Sequence, residues 1–137
     1  FFVADTFNHR VMHWAFGAVQ GDIVAGGNGT GTELDQLSFP SSVTLASDGG
    51  VFVADTQNHR VVHWLRGAVR GVIVAGGHRR GVALDQLADP SSVALAPEGG
   101  IFVADTGNHR VMHWELGAVQ GVIVHLTDKR VEHSPGH

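Results

Sequence analysis

The sequence contains no cysteine, which excludes disulfide bonds, thiolate metal sites and cysteine nucleophiles. It has no run near the roughly eighteen apolar residues of a membrane-spanning helix, and no signal-peptide pattern opens it. Charged residues make up 16% of the 137 residues and sum to a net charge of −4, without the basic stripe of a nucleic-acid surface. The sequence therefore argues against a membrane-spanning segment and against nucleic-acid binding. It predicts no cofactor and no particular compartment.

Glycine is abundant, with 19 residues recurring at ordered positions, and the order reflects an internal repeat. Residues 1–50 and 51–100 are identical at 33 positions without a gap, and a third copy follows from Ile101 to Val124. The chain begins with Phe1 rather than methionine, so we expect a processed chain, a fragment or a partly represented protein.

One copy of the repeat predicts four short strands and no helix. The strands are predicted over 41–47, 51–55, 60–65 and 71–76, with turns rich in glycine and asparagine between them. Four antiparallel strands in a repeat of about 40–50 residues are typical of a β-propeller blade. The predicted fold class is therefore all-β, a propeller of four-stranded antiparallel blades.

The repeated phrase FVADT-x-NHRV, preceded by a DGG or EGG turn and by PSSV, resembles the NHL repeat. The resemblance extends to about Val124. Arginine takes the third letter of the motif, a common variant in the family, and the 50-residue spacing is longer than typical, with the surplus expected in 27–39 and 77–89.

The resemblance implies a propeller, usually of six blades. We predict a domain over 1–125, with a partial blade at 1–40, blades at 41–90 and 91–125, and a C-terminal tail at 126–137. An open arc leaves exposed edges, so we expect a homodimer or further sequence to complete the ring. The segment 129–133 is a candidate for the missing first strand of the partial blade.

Each copy carries the motif D-x-x-N-x-R, whose aspartate ends a buried strand and whose arginine lies across the hairpin. Such a pair forms a charge-assisted hydrogen bond, and asparagine suits a turn and tolerates left-handed dihedral angles. Active sites are usually single, so threefold identity favours a structural clasp of the hairpin, as the resemblance also implies. The clasp residues are Asp5, Asn8, Arg10, Asp55, Asn58, Arg60, Asp105, Asn108 and Arg110.

The histidine pair H-x-x-x-H also recurs in every copy, as His9 with His13, His59 with His63 and His109 with His113. Four steps along a strand span about 13 Å, and a metal lies about 2.1 Å from each nitrogen. One metal cannot join such a pair, so we predict no metal site and expect the second histidine to pack between blades.

Trp14, Trp64 and Trp114 are expected in the packing between blades, with an exposed ligand platform as the alternative. The loops differ between copies and are better candidates for partner contacts. The second loop holds the only local basic cluster, His78, Arg79 and Arg80, whereas the first reads GGNGTG and lacks the Lys-Ser/Thr of a phosphate-binding loop. Asn28 opens a formal glycosylation sequon.

These features predict a non-catalytic NHL-type propeller that acts as a scaffold for protein partners. The alternatives are a carbohydrate-binding propeller using the tryptophans, an RNA-binding propeller, and a propeller hydrolase or lyase. Related propeller enzymes carry metal and acid–base residues in the central channel, but the predicted channel strands SSVTLAS and SSVALAP contain no carboxylate or histidine.

Overall fold

A computed structural model describes residues 1–126 of the chain, and these residues are all-β apart from three single-turn 3₁₀ helices. They form three separate antiparallel sheets, so the predicted fold class is confirmed. The strands are β1 (Phe2–Asp5), β2 (Arg10–His13), β3 (Asp22–Gly26), β4 (Pro40–Leu45), β5 (Val51–Asp55), β6 (Arg60–Trp64), β7 (Val72–Gly76), β8 (Ser92–Leu95), β9 (Ile101–Asp105), β10 (Arg110–Trp114) and β11 (Val122–Leu126). No helix in this described part of the chain is long and apolar enough to cross a membrane.

Each sheet is one blade. The second blade has the order β4-β5-β6-β7 and the third β8-β9-β10-β11, whereas the first contains only β1-β2-β3. Within residues 1–126 the first blade therefore has no strand equivalent to β4 or β8. The segment 129–133, proposed from the sequence to supply that strand, lies outside the described residues.

The hairpin between the second and third strand of a full blade is built the same way in every copy. A 3₁₀ turn (Thr6–Asn8, Thr56–Asn58 or Thr106–Asn108) is closed by a histidine in the left-handed region, with φ of 53°, 52° and 54° at His9, His59 and His109. The sequence pointed to asparagine for this conformation, but the asparagine lies inside the turn. The asparagine side chain instead donates to the aspartate of the clasp, and the histidine that follows adopts the left-handed backbone conformation.

The outermost strand of each blade pairs with its neighbour through a β-bulge. The register shifts between Val11 and Met12, between Val61 and Val62, and between Val111 and Met112. A bulge bends the strand and increases its twist. The same kink therefore recurs at the outer edge of each blade.

Two apolar clusters hold the blades together. The cluster between the first and second blades and the cluster between the second and third use equivalent positions of the repeat. The first contains Val11, Ala25, Leu37, Val51, Val53, Val62 and Trp64, and the second contains Ala46, Phe52, Ala54, Val61, Ala75, Leu87, Val93, Ile101, Val103, Met112 and Trp114. In the second blade, one face of the central strands β5 and β6 thus packs against the first blade and the other against the third.

Candidate functional site

The clasp brings its aspartate and arginine together in all three blades. The Arg Nε to Asp Oδ2 distance is 2.8 Å for Arg10 and Asp5, 2.8 Å for Arg60 and Asp55, and 2.7 Å for Arg110 and Asp105. The strand register places each pair directly opposite across the hairpin. The asparagine adds a hydrogen bond to the same carboxylate, at 2.9 Å from both Asn58 and Asn108.

In the second blade the clasp also holds the loop that enters it. We call residues 27–39 and 77–89 the inter-blade loops. The guanidinium of Arg60 donates to the carbonyl oxygens of Thr32 at 2.9 Å, Glu33 at 3.2 Å and Gln36 at 3.1 Å. These partners lie 24 to 28 residues before the arginine in sequence. The clasp is therefore a joint between blades as well as within a hairpin.

The remaining clasp residues extend this hold along the same loop. Asn58 Nδ2 donates to the Gly31 carbonyl at 2.8 Å, and the Ser38 amide donates to Asp55 Oδ1 at 2.7 Å. The backbone amide of Gly71 reaches the Leu34 carbonyl at 2.8 Å. All these contacts are made to backbone atoms of the loop, so they fix the path of the loop backbone and do not depend on its side chains.

The third blade repeats the arrangement on the second inter-blade loop. Arg110 donates to the carbonyls of Val82, Ala83 and Gln86 at 2.8, 3.0 and 3.1 Å. Asn108 donates to the Gly81 carbonyl at 2.7 Å, and the Ala88 amide donates to Asp105 at 2.7 Å. Because the two loops differ in sequence but share these bonds, the clasp recognises a backbone shape.

A glutamine gives the loop that shape. Gln36 Oε1 accepts from the Glu33 amide at 3.3 Å, and Gln36 Nε2 donates to the Asn28 carbonyl at 3.1 Å. Gln86 makes the same pair of bonds, to Ala83 and to the carbonyl of His78. A Cβ at Gly31 would clash with Gln36 Oε1, so a larger residue there would displace the glutamine side chain from these bonds. Together with the buried Leu37 and Leu87, the loops share the pattern Gly-x-x-x-x-Gln-Leu.

Burial separates the first clasp from the second. The side chains of Asp55 and Arg60 are 0% and 5% exposed, whereas those of Asp5 and Arg10, on which no loop among residues 1–126 lies, are 31% and 33% exposed. Desolvation raises the pKa of Asp55 despite the hydrogen bonds from Ser38, Asn58 and Arg60. Hydrogen bonds from Arg10 and Asn8 lower the pKa of the exposed Asp5.

The two histidines of an H-x-x-x-H pair contact different residues, as His59 and His63 show. His9 Nδ1 accepts from the Phe39 amide at 2.9 Å, and His59 Nδ1 accepts from the Asp89 amide at 3.0 Å, so each joins its blade to the start of the next. His63 stacks on Phe52 with ring centroids 4.8 Å apart, and its Nε2 lies 3.0 Å from Asp48. Within residues 1–126 no three His, Asp or Glu side chains are grouped so as to hold a metal.

Two of the three tryptophans are buried between blades. Trp64 and Trp114 donate from Nε1 to the carbonyls of Ala68 and Ala118 at 3.0 and 3.2 Å. Trp14, whose face has no preceding blade among the described residues, is half-buried. Buried rings offer no platform for a sugar, so these positions do not support the carbohydrate-binding alternative.

The basic cluster lies on the exposed tip of the second inter-blade loop. Arg80 pairs with Asp89 at 3.2 Å, while Arg79 adopts a left-handed φ of 77°. His78 is exposed, and its carbonyl closes the glutamine turn. At the equivalent place in the first loop, exposed Asn28 donates to the Asp35 carbonyl at 3.0 Å. The cluster therefore presents side chains to solvent from a fixed backbone.

Serine hydroxyl groups at the first strand of the second blade, β4, join it to the third blade. Ser41 Oγ lies 2.6 Å from Thr56 Oγ1 and 2.9 Å from the Ser91 carbonyl. The Val93 amide donates to Ser42 Oγ at 3.3 Å. These serines are therefore engaged in contacts between the second and third blades.

With this geometry in place, comparison with known families identifies the repeat. The family model described as NHL repeat matches residues 37–64 and 87–114, which include the full clasp of the second and third blades. This is an NHL-repeat protein. Its three sheets are propeller blades, and each match begins at the leucine of an inter-blade loop. No curated protein matches the chain.

The hold of the NHL clasp on the inter-blade loop was not predicted from the sequence. The signal was present as the shared Gly31 and the shared segment Leu34–Leu37, repeated at Gly81 and Leu84–Leu87 in loops that differ at 28–30, 32–33 and 38–39. No local sequence pattern indicates that these loop residues contact an arginine more than twenty positions later in the chain.

Proposed function

We propose that this NHL-repeat protein is a non-catalytic scaffold that binds protein partners through its inter-blade loops. The observation that carries the proposal is that each loop combines exposed, variable side chains with a backbone that the clasp holds. Positions 28–30 and 32–33 differ from 78–80 and 82–83, and all ten are exposed. The clasp holds the backbone beneath them. A rigid surface with variable side chains suits recognition of another protein.

The chemistry of the motif residues also supports a binding role. The arginine and aspartate of the second and third clasps are buried and fully engaged with each other and with loop backbone. Strands β4 and β8 carry only apolar residues, serine and threonine. A general acid or base needs a side chain free to exchange a proton with a substrate, and the aspartates and arginines of these two clasps are not free to do so.

We further propose that another NHL blade covers the open face of the first blade. Phe1 is 69% exposed, whereas the equivalent Val51 and Ile101 are 2% and 0% exposed because a blade precedes them. Val3 shows the same contrast with the fully buried Val53 and Val103. A second copy that contributes three blades would complete a six-bladed ring.

The loop proposal can be tested with a substitution taken from the chain itself. Replacing His78, Arg79 and Arg80 by the first loop's Asn, Gly and Thr (H78N/R79G/R80T) changes the exposed tip and leaves the clasp intact. We expect partner proteins captured by the wild-type chain to be lost, with the unfolding midpoint preserved. Unchanged capture would refute recognition through this loop.

Ring completion by a second copy is tested by the mass of the native species. Light scattering on the intact 137-residue chain is expected to give twice the monomer mass. A monomer mass at all concentrations would refute closure by a second copy.

A further inference from the structure

A pocket of about 360 Å³ lies between the hairpin of the second blade and the two inter-blade loops. The first loop contributes Thr32 and Leu34 to its wall, the hairpin turn contributes residues 57–60, and β7 with the second loop contributes Ile73 and Arg79. This volume lies in the range of small-ligand sites, about 300–1,000 Å³. Because the second blade has a neighbouring blade on either side, both loops that form the pocket are present in full.

The pocket carries a positive charge that the protein does not compensate. No aspartate or glutamate lines it, and Glu33 lies between two lining residues without being one of them. The guanidinium of Arg60 is neutralised by Asp55 at 2.8 Å. Arg79 takes part in none of the ion pairs among residues 1–126. On a chain with a net charge of −4, this is a local site for an anion.

The arginine occupies a backbone position that suits glycine better. Arg79 has a φ of 77°, and the equivalent residue of the first loop is Gly29, with a φ of 80°. Glycine adopts this left-handed conformation without the steric cost that a Cβ imposes. The second loop therefore holds an arginine where glycine is less strained, and strain of this kind is concentrated at binding sites.

His59 supplies a second hydrogen-bond donor. Its Nδ1 accepts from the Asp89 amide at 3.0 Å, and because an amide N–H can only donate, the neutral ring carries its proton on Nε2. Nε2 is not among the buried atoms that lack a partner within residues 1–126. The Asp89 carboxylate is paired with Arg80 at 3.2 Å. The pocket thus has a guanidinium and an imidazole N–H for the same anion.

The rest of the wall is apolar and accessible. Leu34 and Ile73 are 39% and 38% exposed and line the pocket together. An aliphatic side chain that followed the anion into the pocket would cover both, which favours binding through the loss of exposed apolar surface. The ligand that fits is therefore an anion attached to an aliphatic group.

We propose that this pocket binds an acidic residue next to an aliphatic residue on a partner protein. The carboxylate pairs with Arg79 and His59, and the aliphatic side chain packs on Leu34 and Ile73. A planar carboxylate matches the fork of one guanidinium, whereas a phosphoryl group carries a charge of about −2, for which the pocket has a single uncompensated cation. The inference deepens the proposed function, on which it rests, by naming the chemistry of the partner.

The test is an NMR titration of the intact, nitrogen-15-labelled chain with the dipeptide N-acetyl-Glu-Leu-amide at neutral pH. We expect saturable shifts of the amide signals of Gly77 and Arg79. N-acetyl-Gln-Leu-amide has the same shape without the charge and should bind about fivefold more weakly, since it loses a partly exposed charge pair. Absence of saturable shifts with the Glu-Leu dipeptide, or equal affinity of the two dipeptides, would overturn the proposal.

Two variants locate the binding. Arg79→Gln removes the charge from the pocket and should weaken binding of N-acetyl-Glu-Leu-amide by about fivefold. Arg70→Gln is the matched control, because it removes an exposed arginine that does not line the pocket and changes the net charge equally. It should bind as the wild type does, and both variants should keep the unfolding midpoint. Equal affinity of Arg79→Gln and wild type would overturn the assignment of the site.

The remaining outcomes separate this pocket from other ligands and from the loop proposal. If inorganic phosphate at matched ionic strength shifts the same signals at lower concentration than the Glu-Leu dipeptide, the site is a phosphoryl site and the proposal is overturned. If H78N/R79G/R80T loses its captured partners while the wild type does not bind the dipeptide, the pocket proposal fails and loop recognition stands. Dipeptide binding by the wild type, with unchanged partner capture by that variant, supports the pocket and refutes recognition through the loop tip.

Discussion

The buried and open clasps predict a large difference in stability between two chemically identical substitutions. Arg60→Met and Arg10→Met each remove a guanidinium while keeping most of the apolar stem. Arg60 is 5% exposed and holds Asp55 together with three loop carbonyls. Arg10 is 33% exposed, and among residues 1–126 its side chain pairs with Asp5 alone.

The magnitudes follow from what each substitution leaves behind. Removing Arg60 leaves a buried carboxylate without its cation and three carbonyl oxygens without their hydrogen-bond donor. We therefore expect a loss of about 3–5 kcal/mol in the free energy of unfolding. Removing Arg10 breaks a partly solvated pair, for which the expected loss is at most about 1 kcal/mol. The total stability of a domain is about 5–15 kcal/mol, so both variants should remain measurable.

Urea unfolding followed by tryptophan fluorescence measures both losses on one scale. Midpoints and slopes are compared for wild type, Arg60→Met and Arg10→Met, since a change in midpoint at constant slope reports a change in stability. Arg110→Met serves as a second buried copy and should resemble Arg60→Met. Equal losses at Arg10 and Arg60 would refute the claim that the clasp stabilises the fold chiefly through the incoming loop.

Three further predictions follow from individual residues. Carboxyl-carbon NMR titration should place the titration midpoint of Asp5 below 3.8 and that of Asp55 above it. The stability that Asp5 contributes is then lost as pH falls through its folded pKa, whereas the stability that Asp55 contributes is lost as pH rises through its folded pKa. A reversed order of the two midpoints would contradict both assignments. Arg79→Gly relieves a left-handed φ of 77° and should raise the free energy of unfolding by about 1 kcal/mol in urea titrations; a loss would show that the arginine is held by contacts stronger than this strain. In acrylamide quenching of single-tryptophan variants, Trp14, which is half-buried within residues 1–126, should be quenched as little as buried Trp64 because another blade covers its face in solution. Readier quenching of Trp14 would contradict that coverage.

The local parts of the fold were predictable from sequence because their causes are local. Alternating and continuous apolar runs located the strands, and the predicted 51–55 agrees with β5 as observed. The pairing of Asp5 with Arg10 follows from a hairpin with one turn between two strands. Such features depend on residues within about ten positions of each other.

The parts that sequence reasoning missed depend on distant residues. The bond from Arg60 to the Thr32 carbonyl spans 28 residues and involves a backbone atom, which no side-chain pattern reveals. The left-handed residue was misplaced because Asn58 and His59 are adjacent, and the choice between them is made by the contact of Asn58 with Asp55. Within residues 1–126 no loop lies on the first clasp, so its greater exposure does not come from any residue of the motif.

The near-identity of the two inter-blade clusters has a consequence for folding. Val53, Val62 and Trp64 face the first blade with the same positions of the repeat that Val103, Met112 and Trp114 use against the second. A blade emerging from the unfolded chain therefore meets equally complementary surfaces on its own neighbour and on any other molecule. We expect refolding yield to fall as protein concentration rises, with exchanged blades linking chains into soluble oligomers. Sequence repetition simplifies the architecture but removes the distinctions that keep one molecule from assembling with the next.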